Sequence, residues 1–267
     1  MPELRMLDSA LAGPALRRFA GCALQPQSLQ ALLQKLLPRL TAGAAPLLVG
    51  HHNLYSLYLQ QRDPEVAAFY RQCDSCYVDG VPVLWLLRAA GIDIRGAQRF
   101  SFMDCLPELL DFAQTGKLRV FYLGSEDAAI ERAQGWVAKG WPQLEIAWQH
   151  GYSKDEAAVV AAINAFRPQL LLVGMGMPKQ EQWILRHRAQ LQAGAIFQAG
   201  GTLDYYTGLQ AQPPAGLSRL GLAWLYRLLH DPKRLWRRYL LTPWALLRPT
   251  LRLRRELRAE RRLQRAA

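Results

Sequence analysis

The segment Gly174–Glu181 carries the strongest local signal for chemistry, because two glycines, a proline and a lysine follow a run of apolar residues. Gly174 and Gly176 would let the backbone approach a ligand closely, and Pro178 suits the first turn of a helix. Backbone amides at a helix start, together with Lys179, attract phosphate. The spacing matches neither the GxxxxGK[ST] phosphate loop nor the GxGxxG dinucleotide fingerprint. On spacing alone, an ordinary strand–turn–helix junction remains an equal alternative.

Two aspartates follow other apolar runs in the same way. Asp79 precedes Gly80, and a carboxylate at such a strand end could act as a general base on a hydroxyl. Asp204 lies just after the pair Gly200-Gly201. For both aspartates the alternative is structural, since helix caps and tight turns are the usual places for this residue.

His51-His52-Asn53 also ends an apolar run, and two histidines suggest metal ligands. Adjacent residues of a strand point to opposite faces, so we expect at most one of them to line a site. The chain has no Asp-x-Asp motif that would hold a divalent metal against a diphosphate, and we predict neither a metal nor a cofactor. Arg99, near Asp104, could bind phosphate through its forked guanidinium, the alternative being a surface charge.

The four cysteines do not indicate a disulfide scaffold. Cys73 and Cys76 form a lone Cys-x-x-Cys pair, without a second pair or well-spaced histidines. Zinc needs about four ligands, so we interpret the pair as buried small side chains near a strand rather than as a zinc or redox site. A chain of this kind fits a reducing cytoplasm.

Short apolar runs alternate with stretches of helical spacing along the chain. The runs are Leu47–Val49, Cys76–Val78, Leu118–Leu123, Leu144–Trp148, Leu170–Val173 and Ala195–Phe197. The helical stretches are Ser28–Leu37, Leu54–Gln72, Ala128–Lys139, Lys154–Phe166 and Lys179–Gln192. This alternation predicts an α/β fold in which a parallel sheet is covered by helices on both faces. Ligands of such folds bind beyond the carboxyl ends of the strands, where the polar residues described above fall.

The positive charge is concentrated at the C-terminal end. The formal net charge is +12, and the segment Leu217–Ala267 alone has 14 Lys and Arg residues against 3 Asp and Glu residues. Such a balance points to a polyanionic partner, either nucleic acid or an acidic membrane surface. A break at Gln212-Pro213-Pro214 precedes this segment, and Asp231-Pro232 predicts a helix start within it. Beyond Thr250 the arginine-rich composition is typical of disorder.

Aromatic residues and arginines together in this segment favour the membrane interpretation, because both suit the headgroup region of a bilayer. An alternative is a solvated helical surface that pairs with a second copy of the chain in a homo-oligomer. We expect no signal peptide, since no basic stretch followed by an apolar run opens the sequence. We also expect no spanning helix, because no run of about 18 uncharged apolar residues occurs.

Together and in this order, the motifs resemble those of glycosyltransferase family 26. This is the WecG/TagA/CpsF family, the N-acetylmannosaminyl and N-acetylmannosaminuronyl transferases of bacterial surface polymers. The resemblance runs from about Leu47 to about Leu241, and its most specific pieces are VGMGMPKQE at Val173–Glu181 and GLAWLYRLLHDPKRLWRRY at Gly221–Tyr239. It implies a Rossmann-like core, which we assign to residues 1–212, and a basic helical appendage, which we assign to residues 213–267.

The resemblance implies an inverting, metal-independent transfer of a sugar at the cytoplasmic face of the bacterial inner membrane. The donor would be a UDP-sugar, either UDP-N-acetylmannosamine or another UDP-hexose, and the acceptor a polyprenyl-diphosphate-linked saccharide. The family's aspartate base falls on Asp79. The positions predicted to bind substrate are His51, Asn53, Arg99, Asp104, Gly124, Gly174, Gly176, Pro178, Lys179, Gln180, Glu181, Gly201 and Asp204. Those predicted to complete the site from the appendage or to meet the membrane are Arg227, Arg234, Trp236, Arg237 and Arg238.

Several positions depart from the family pattern. Many members have Thr-x-Asn where this chain has His51-His52-Asn53, and Arg-Ala-Pro where it has Gln212-Pro213-Pro214. Gly216 replaces a tryptophan, and Ala223 replaces a glutamate. The new histidine and the lost arginine fall where the sugar or diphosphate would bind, so the resemblance predicts the reaction type better than the donor sugar, and UDP-glucose or another hexose stays open. An alternative to an enzymatic function is that the chain is a nucleic-acid-binding protein, whose arginine-rich tail would bind the polyanion.

Overall fold

The computed structural model describes residues 14–24, 29–40, 45–93, 101–214, 216–217 and 220–266. Its centre is a sheet of six strands, all of whose described pairings are parallel. The strands are β1 (Leu47–His52), β2 (Ser75–Val78), β3 (Val120–Gly124), β4 (Ile146–Gln149), β5 (Leu170–Gly174) and β6 (Ala195–Gln198), in the spatial order β2-β1-β6-β5-β3-β4. All six predicted strands and the Rossmann-like parallel sheet are therefore confirmed.

Helices follow the strands in an alternating order. Those of the first half are α1 (Pro14–Ala20), α2 (Leu29–Leu36), α3 (Leu54–Gln60), α4 (Pro64–Arg71), α5 (Val81–Ala89), α6 (Phe102–Thr115) and α7 (Asp127–Gly140). Those of the second half are α8 (Glu156–Phe166), α9 (Lys179–His187), α10 (Thr202–Tyr206), α11 (Ala223–His230), α12 (Pro232–Trp236), α13 (Thr242–Ala245) and α14 (Leu247–Ala266). A π-helical turn at Arg237–Leu241 joins α12 to α13.

The sheet separates two apolar cores, one on each face. Side chains that alternate along each strand enter opposite cores, as in β1, where Leu48 packs on one face and Val49 on the other. Helices α1, α3, α4, α5, α8, α9 and α14 contribute buried or partly buried side chains to the first core. Helices α2, α6, α7 and α10 cover the second face. Both faces of the sheet are covered, which explains why its strands read as continuous apolar runs.

The stretch of helical spacing from Leu54 to Gln72 forms two helices. The first ends at Gln60, and Asp63 caps the second, since its Oδ1 accepts hydrogen bonds from the backbone amides of Glu65 (2.9 Å) and Val66 (3.2 Å). Pro64 occupies the first turn of α4, where its missing N–H is not needed. Asp231 and Pro232 begin α12 in the same way, as the sequence predicts.

The sequence leaves open whether the chain is ordered beyond Thr250, and in the structure α14 continues to Ala266. Leu253 is buried in the first core and Leu257, one turn further along α14, packs against it, while Leu246 is buried there just before the helix begins. Arg252 and Glu256 form an ion pair one turn apart along the helix (3.0 Å). Within the residues that the structure describes, no helix combines the length and the apolar character needed to cross a membrane. The domain boundary near residue 212 stays a prediction.

Candidate active site

A polar cavity of about 120 Å³ lies beyond the carboxyl ends of β1, β2, β5 and β6. Parallel strands bring these ends to one edge of the sheet, so residues distant in sequence meet there. The sequence-predicted residues that line the cavity are His51, Asn53, Asp79, Gly176, Gly201, Arg227, Arg234 and Arg238. The cavity therefore joins the carboxylate at position 79, the turn after β5 and the C-terminal arginines.

Asp79 directly follows β2, and its backbone amide donates to the carbonyl of His52 (2.8 Å). This bond extends the β1–β2 pairing by one residue and fixes the backbone of Asp79 at the sheet edge. The next helix begins at Val81, directly after Gly80, which has a positive φ of 98°, and no side chain caps it there. Asp79 therefore does not serve as the cap that the structural alternative assumes. Its side chain remains 24% exposed and faces the cavity.

His51 lies beside Asp79, with 3.8 Å between its Nε2 and the carboxylate Oδ2. Burial lowers the pKa of His51 to about 4, against the opposing effect of the Asp79 carboxylate. The imidazole is therefore neutral near pH 7, and the contact is neither a salt bridge nor a short hydrogen bond. Its backbone is held firmly, since its N–H donates to Gln198 Oε1 (2.7 Å) and its carbonyl accepts from the Tyr70 hydroxyl (2.9 Å).

The two adjacent histidines point to opposite sides of β1. The ring of His51 stacks on Tyr77 at the cavity side, with 5.5 Å between ring centroids. The ring of His52 stacks on Tyr70 in the first core, with 3.9 Å between centroids. The geometry thus brings His51 to the cavity and excludes His52 from it, in agreement with the alternation of side chains along a strand.

Asn53 caps a helix and also lines the polar cavity. Its Oδ1 accepts from the amides of Tyr55 (2.9 Å) and Ser56 (3.0 Å), which caps α3. Its Nδ2 is directed toward Met177 Sδ, 4.0 Å away, in the turn after β5. The amide oxygen is therefore occupied, and only the amide N–H group of this side chain remains for a ligand.

A second, larger cavity of about 510 Å³ adjoins the first and is mainly apolar. The residues that line both cavities are Asn53, Asp79, Ser101, Met103, Arg227 and Arg238. The larger cavity continues between α5 and the appendage, along Trp85, Leu86, Trp224, Pro243 and Leu247. Asp79 therefore stands where a polar and an apolar compartment meet.

Gly124 and Gly174 are required by the packing of strands. A Cβ atom on Gly124 would lie 2.4 Å from the carbonyl carbon of Gly174, and one on Gly174 would lie 2.1 Å from the Tyr122 hydroxyl oxygen. Gly176 differs, because it has φ 76°, has open space around it and lines the polar cavity. Of these three predicted ligand-binding glycines, the structure brings only Gly176 to the cavity.

Gln180 and Glu181 form a buried polar network behind the cavity. Gln180 Oε1 accepts from the backbone amide of Gly200 (3.0 Å), which joins the turn after β5 to the turn after β6. The amide groups of Gln180 (2.9 Å) and Gln198 both donate to Glu181 Oε1. Burial raises the pKa of Glu181 to about 7, although these donors oppose the shift. Both residues support the walls of the cavity and do not line it.

Other predicted site residues lie around the cavity without entering it. Lys179 is exposed and sits over the ring of Tyr152, with its Nζ 4.8 Å from the centroid, while Pro178 precedes it at the start of α9. Asp204 joins two loops, because it accepts from the Ser125 hydroxyl (3.0 Å) and from the Gln210 amide (2.8 Å). Asp104 is exposed in the first turn of α6. Arg99 lies outside the described residues.

The appendage brings three arginines to the polar cavity. Arg227 stacks over Tyr205 (4.7 Å to the centroid), and Arg238 stacks over Tyr55 (4.9 Å). Arg234 pairs with Asp231 and also donates to Gln210 Oε1 (3.0 Å). Trp236 is exposed and carries Arg237 over its ring (5.3 Å), away from both cavities.

Gln198 is a supporting residue that the sequence predictions missed. It is fully buried at the end of β6, where its amide contacts His51, Glu181 and Tyr70. One polar residue at the end of the apolar run Ala195–Phe197 was the available signal, because a buried amide needs hydrogen-bond partners. Tyr205, beneath Arg227, gave no comparable signal.

Comparison with known proteins identifies the family. A family model described as "Glycosyl transferase WecG/TagA/CpsF family" matches residues 17–260. Curated relatives in Staphylococcus aureus strains MW2, NCTC 8325 / PS 47 and COL are 34% identical over 142 residues, which cover 53% of this chain. Each is named N-acetylglucosaminyldiphosphoundecaprenol N-acetyl-beta-D-mannosaminyltransferase, and the match spans 56% of its length. The family model covers most of the chain, and we conclude that the chain belongs to the glycosyl transferase WecG/TagA/CpsF family.

Proposed function

We propose that this protein transfers a hexose or N-acetylhexosamine from a UDP-sugar to a saccharide carried on a polyprenyl diphosphate, with inversion at the anomeric carbon and without a metal. Membership of the family supports the reaction class, and the names of the relatives support an acceptor linked to a polyprenyl diphosphate. The observation that carries the proposal is the position of Asp79 between a polar, arginine-lined cavity and an apolar one.

Asp79 acts as the general base. Its carboxylate is partly exposed, is not used as a helix cap, and lies beyond hydrogen-bonding distance of the neutral His51 ring. It is free to accept the proton of an acceptor hydroxyl as that oxygen forms its bond to the anomeric carbon. The bond from that carbon to the UDP oxygen breaks with its electron pair, and attack from the opposite side inverts the centre.

Arginines from the appendage stabilise the departing diphosphate. Arg227, Arg234 and Arg238 line the polar cavity, and the backbone turn at Gly176 lines its other side. Negative charge grows on the leaving group in the transition state, so positive groups that are already in position lower the barrier. The appendage would in this way complete the active site of the core.

The apolar cavity accommodates the part of the acceptor nearest its lipid. Its lining by Trp85, Leu86, Trp224 and Leu247 suits isoprenoid chemistry, and it reaches Asp79 directly. Trp85 is 50% exposed and Leu247 is 50% exposed at its rim. An acceptor that lies along this cavity would present its sugar hydroxyl to the base.

The exposed apolar side chains of the appendage suit a membrane surface. Trp244 is 75% exposed, Leu240 48% and Leu241 52%, and arginines flank them in sequence. Tryptophan and arginine together favour the headgroup region of acidic lipids, where each basic residue contributes roughly 1 kcal/mol. We propose that the protein binds the cytoplasmic surface of the inner membrane through this face.

The activity is tested by incubating the protein with a panel of UDP-sugars and polyprenyl-diphosphate saccharides and measuring the mass of the lipid product. We expect Asp79→Asn to lose about 10²–10⁴ in rate while it keeps thermal stabilisation by UDP. Asp127→Asn, an exposed aspartate at the start of α7, is the matched control and should keep full turnover. Full turnover by Asp79→Asn would show that Asp79 is not the general base. Binding of DNA that falls steeply with salt, without stabilisation by UDP, would favour the nucleic-acid alternative.

Membrane binding is tested separately by sedimentation with vesicles of acidic or neutral lipid. Trp244→Ser should weaken binding to acidic vesicles, because this ring is largely exposed and its loss leaves the cores intact. Leu37→Ser is the control, since Leu37 is 47% exposed but precedes β1 at the opposite edge of the sheet. Equal binding by both variants would contradict the assignment of this face.

A further inference from the structure

Two cysteines and a histidine from three separate segments meet behind the active-site edge. Cys22 follows α1, His52 ends β1 and Cys76 lies in β2, and their Sγ and ring nitrogen atoms lie within 4.8 Å of one another. All three side chains are buried, with exposures of 7%, 0% and 0%. Cys73, the partner of Cys76 in the Cys-x-x-Cys pair, turns away and donates to the Phe69 carbonyl (3.5 Å).

The spacing of the cluster matches the edge of a tetrahedral zinc site. The distance from Cys22 Sγ to His52 Nε2 is 3.6 Å. Zinc bonds of about 2.3 Å to sulfur and 2.0–2.1 Å to nitrogen, at a tetrahedral angle, place these two atoms roughly 3.6 Å apart. Two thiolates and an imidazole are ligands that zinc prefers.

Hydrogen bonds on both sides hold the His52 ring in place. Ser56 Oγ donates to the Asn53 carbonyl (2.8 Å) and accepts from the Asn53 amide (2.9 Å), and His52 Nδ1 lies 3.0 Å from the same oxygen. On the other side, Nε2 contacts the Ala20 carbonyl oxygen and lies 3.6 Å from Cys22 Sγ. A carbonyl oxygen only accepts, so this contact needs a proton on Nε2, which a bound ion would replace as the Ala20 carbonyl moves aside. The remaining ring N–H would then be donated from Nδ1 toward Ser56, as is typical of a metal-bound histidine.

We propose that Cys22, His52 and Cys76 bind one Zn²⁺ ion, with a water or another small ligand in the fourth position. The ion ties the segment 20–24 to the sheet, reinforcing the parallel bridge between Leu24 and Cys76. It also acts through Ser56 on Asn53, which caps α3 at the rim of the polar cavity. Its role is to position these segments, since the ring of His52 points away from that cavity.

The test uses the full-length protein purified without chelator, with its metal content measured and Co²⁺ then substituted. We expect one zinc per chain, and for Co²⁺ a near-ultraviolet thiolate band together with the intense visible bands of tetrahedral coordination. Cys22→Ser and His52→Asn should lose these signals. Cys105→Ser, which removes a cysteine of α6 outside the cluster, should keep them.

Removal of zinc from the wild type should also lower the midpoint of thermal unfolding, because metal binding is linked to folding. The wild-type metal content and cobalt spectrum do not depend on whether any variant folds. A chain without stoichiometric metal, a cobalt thiolate band that persists in the Cys22→Ser/Cys76→Ser double variant, or a mass two hydrogens lower from a Cys22–Cys76 disulfide would each overturn the proposal.

Discussion

The buried carboxyl group of Glu181 makes the stability of this protein depend on pH. The side chain is fully buried, and its Oε1 accepts from the amides of Gln180 and Gln198. Its Oε2 has no hydrogen-bond partner among the described residues. Burial disfavours the charged form, and it raises the pKa of Glu181 from 4.5 to about 7 in the folded protein.

The direction of the effect follows from the proton balance. Between pH 4.5 and about 7 the folded protein keeps a proton on Glu181 that the unfolded chain has already lost. The free energy of unfolding therefore falls as the pH rises through this window, and the contribution is constant above it. A pKa difference of this size corresponds to a change of about 3 kcal/mol in the free energy of unfolding.

Glu181→Gln removes the titration and keeps an acceptor oxygen. We expect the unfolding free energy of this variant, relative to the wild type, to increase by up to about 3 kcal/mol between pH 5 and pH 8. Urea unfolding of both proteins across this range measures the difference. Glu131→Gln, on the exposed face of α7, is the control, since a solvated carboxyl gives no such slope. Parallel pH profiles for Glu181→Gln and the wild type would refute the reasoning.

Three further substitutions test the packing and the site. Gly174→Ala places a methyl group 2.1 Å from the Tyr122 hydroxyl, so we expect about 1–3 kcal/mol of destabilisation in urea, and a neutral result would contradict the close approach. Arg238→Gln should raise the KM for the UDP-sugar roughly tenfold or more in steady-state assays, and an unchanged kcat/KM would exclude it from the site. Leu253→Ala should lower the free energy of unfolding by about 2–5 kcal/mol, because Leu253 is buried. Leu263 is 72% exposed, so Leu263→Ala should lower it by under about 0.5 kcal/mol, and equal effects would mean that α14 does not pack against the core.

The fold was predictable because its strands are buried on both faces. An apolar run such as Leu170–Val173 identifies a buried strand without any knowledge of the neighbouring strands, and a turn or glycine marks where the run ends. The helical pattern was harder to divide. Leu54–Gln72 keeps one spacing across two helices, and the cap that separates them depends on a single Asp-Pro step. The final helix was missed because its composition is that of a solvated tail, while Leu253 and Leu257 pack it against the core.

The location of the candidate site was predictable from the sequence, but the contacts that each of its residues makes were less so. The rule of strand ends brings Asp79, His51 and Gly176 together without any knowledge of distances. It does not distinguish a residue that faces a ligand from one that supports the wall. Gly174 and Glu181 belong to the same motif as Gly176, yet the first prevents a clash between strands and the second holds a buried network. Only the three-dimensional structure distinguishes residues that face the cavity from residues that support its walls.

The end of β1 shows how two adjacent residues can act on opposite sides of a strand. His51 places a neutral ring beside the proposed base. His52 enters a cluster with Cys22 and Cys76 on the far side. The two substitutions should therefore differ in their effect on the metal. His51→Thr should alter turnover or donor choice without altering metal content, whereas His52→Asn should remove the metal, and loss of metal from His51→Thr would contradict this separation.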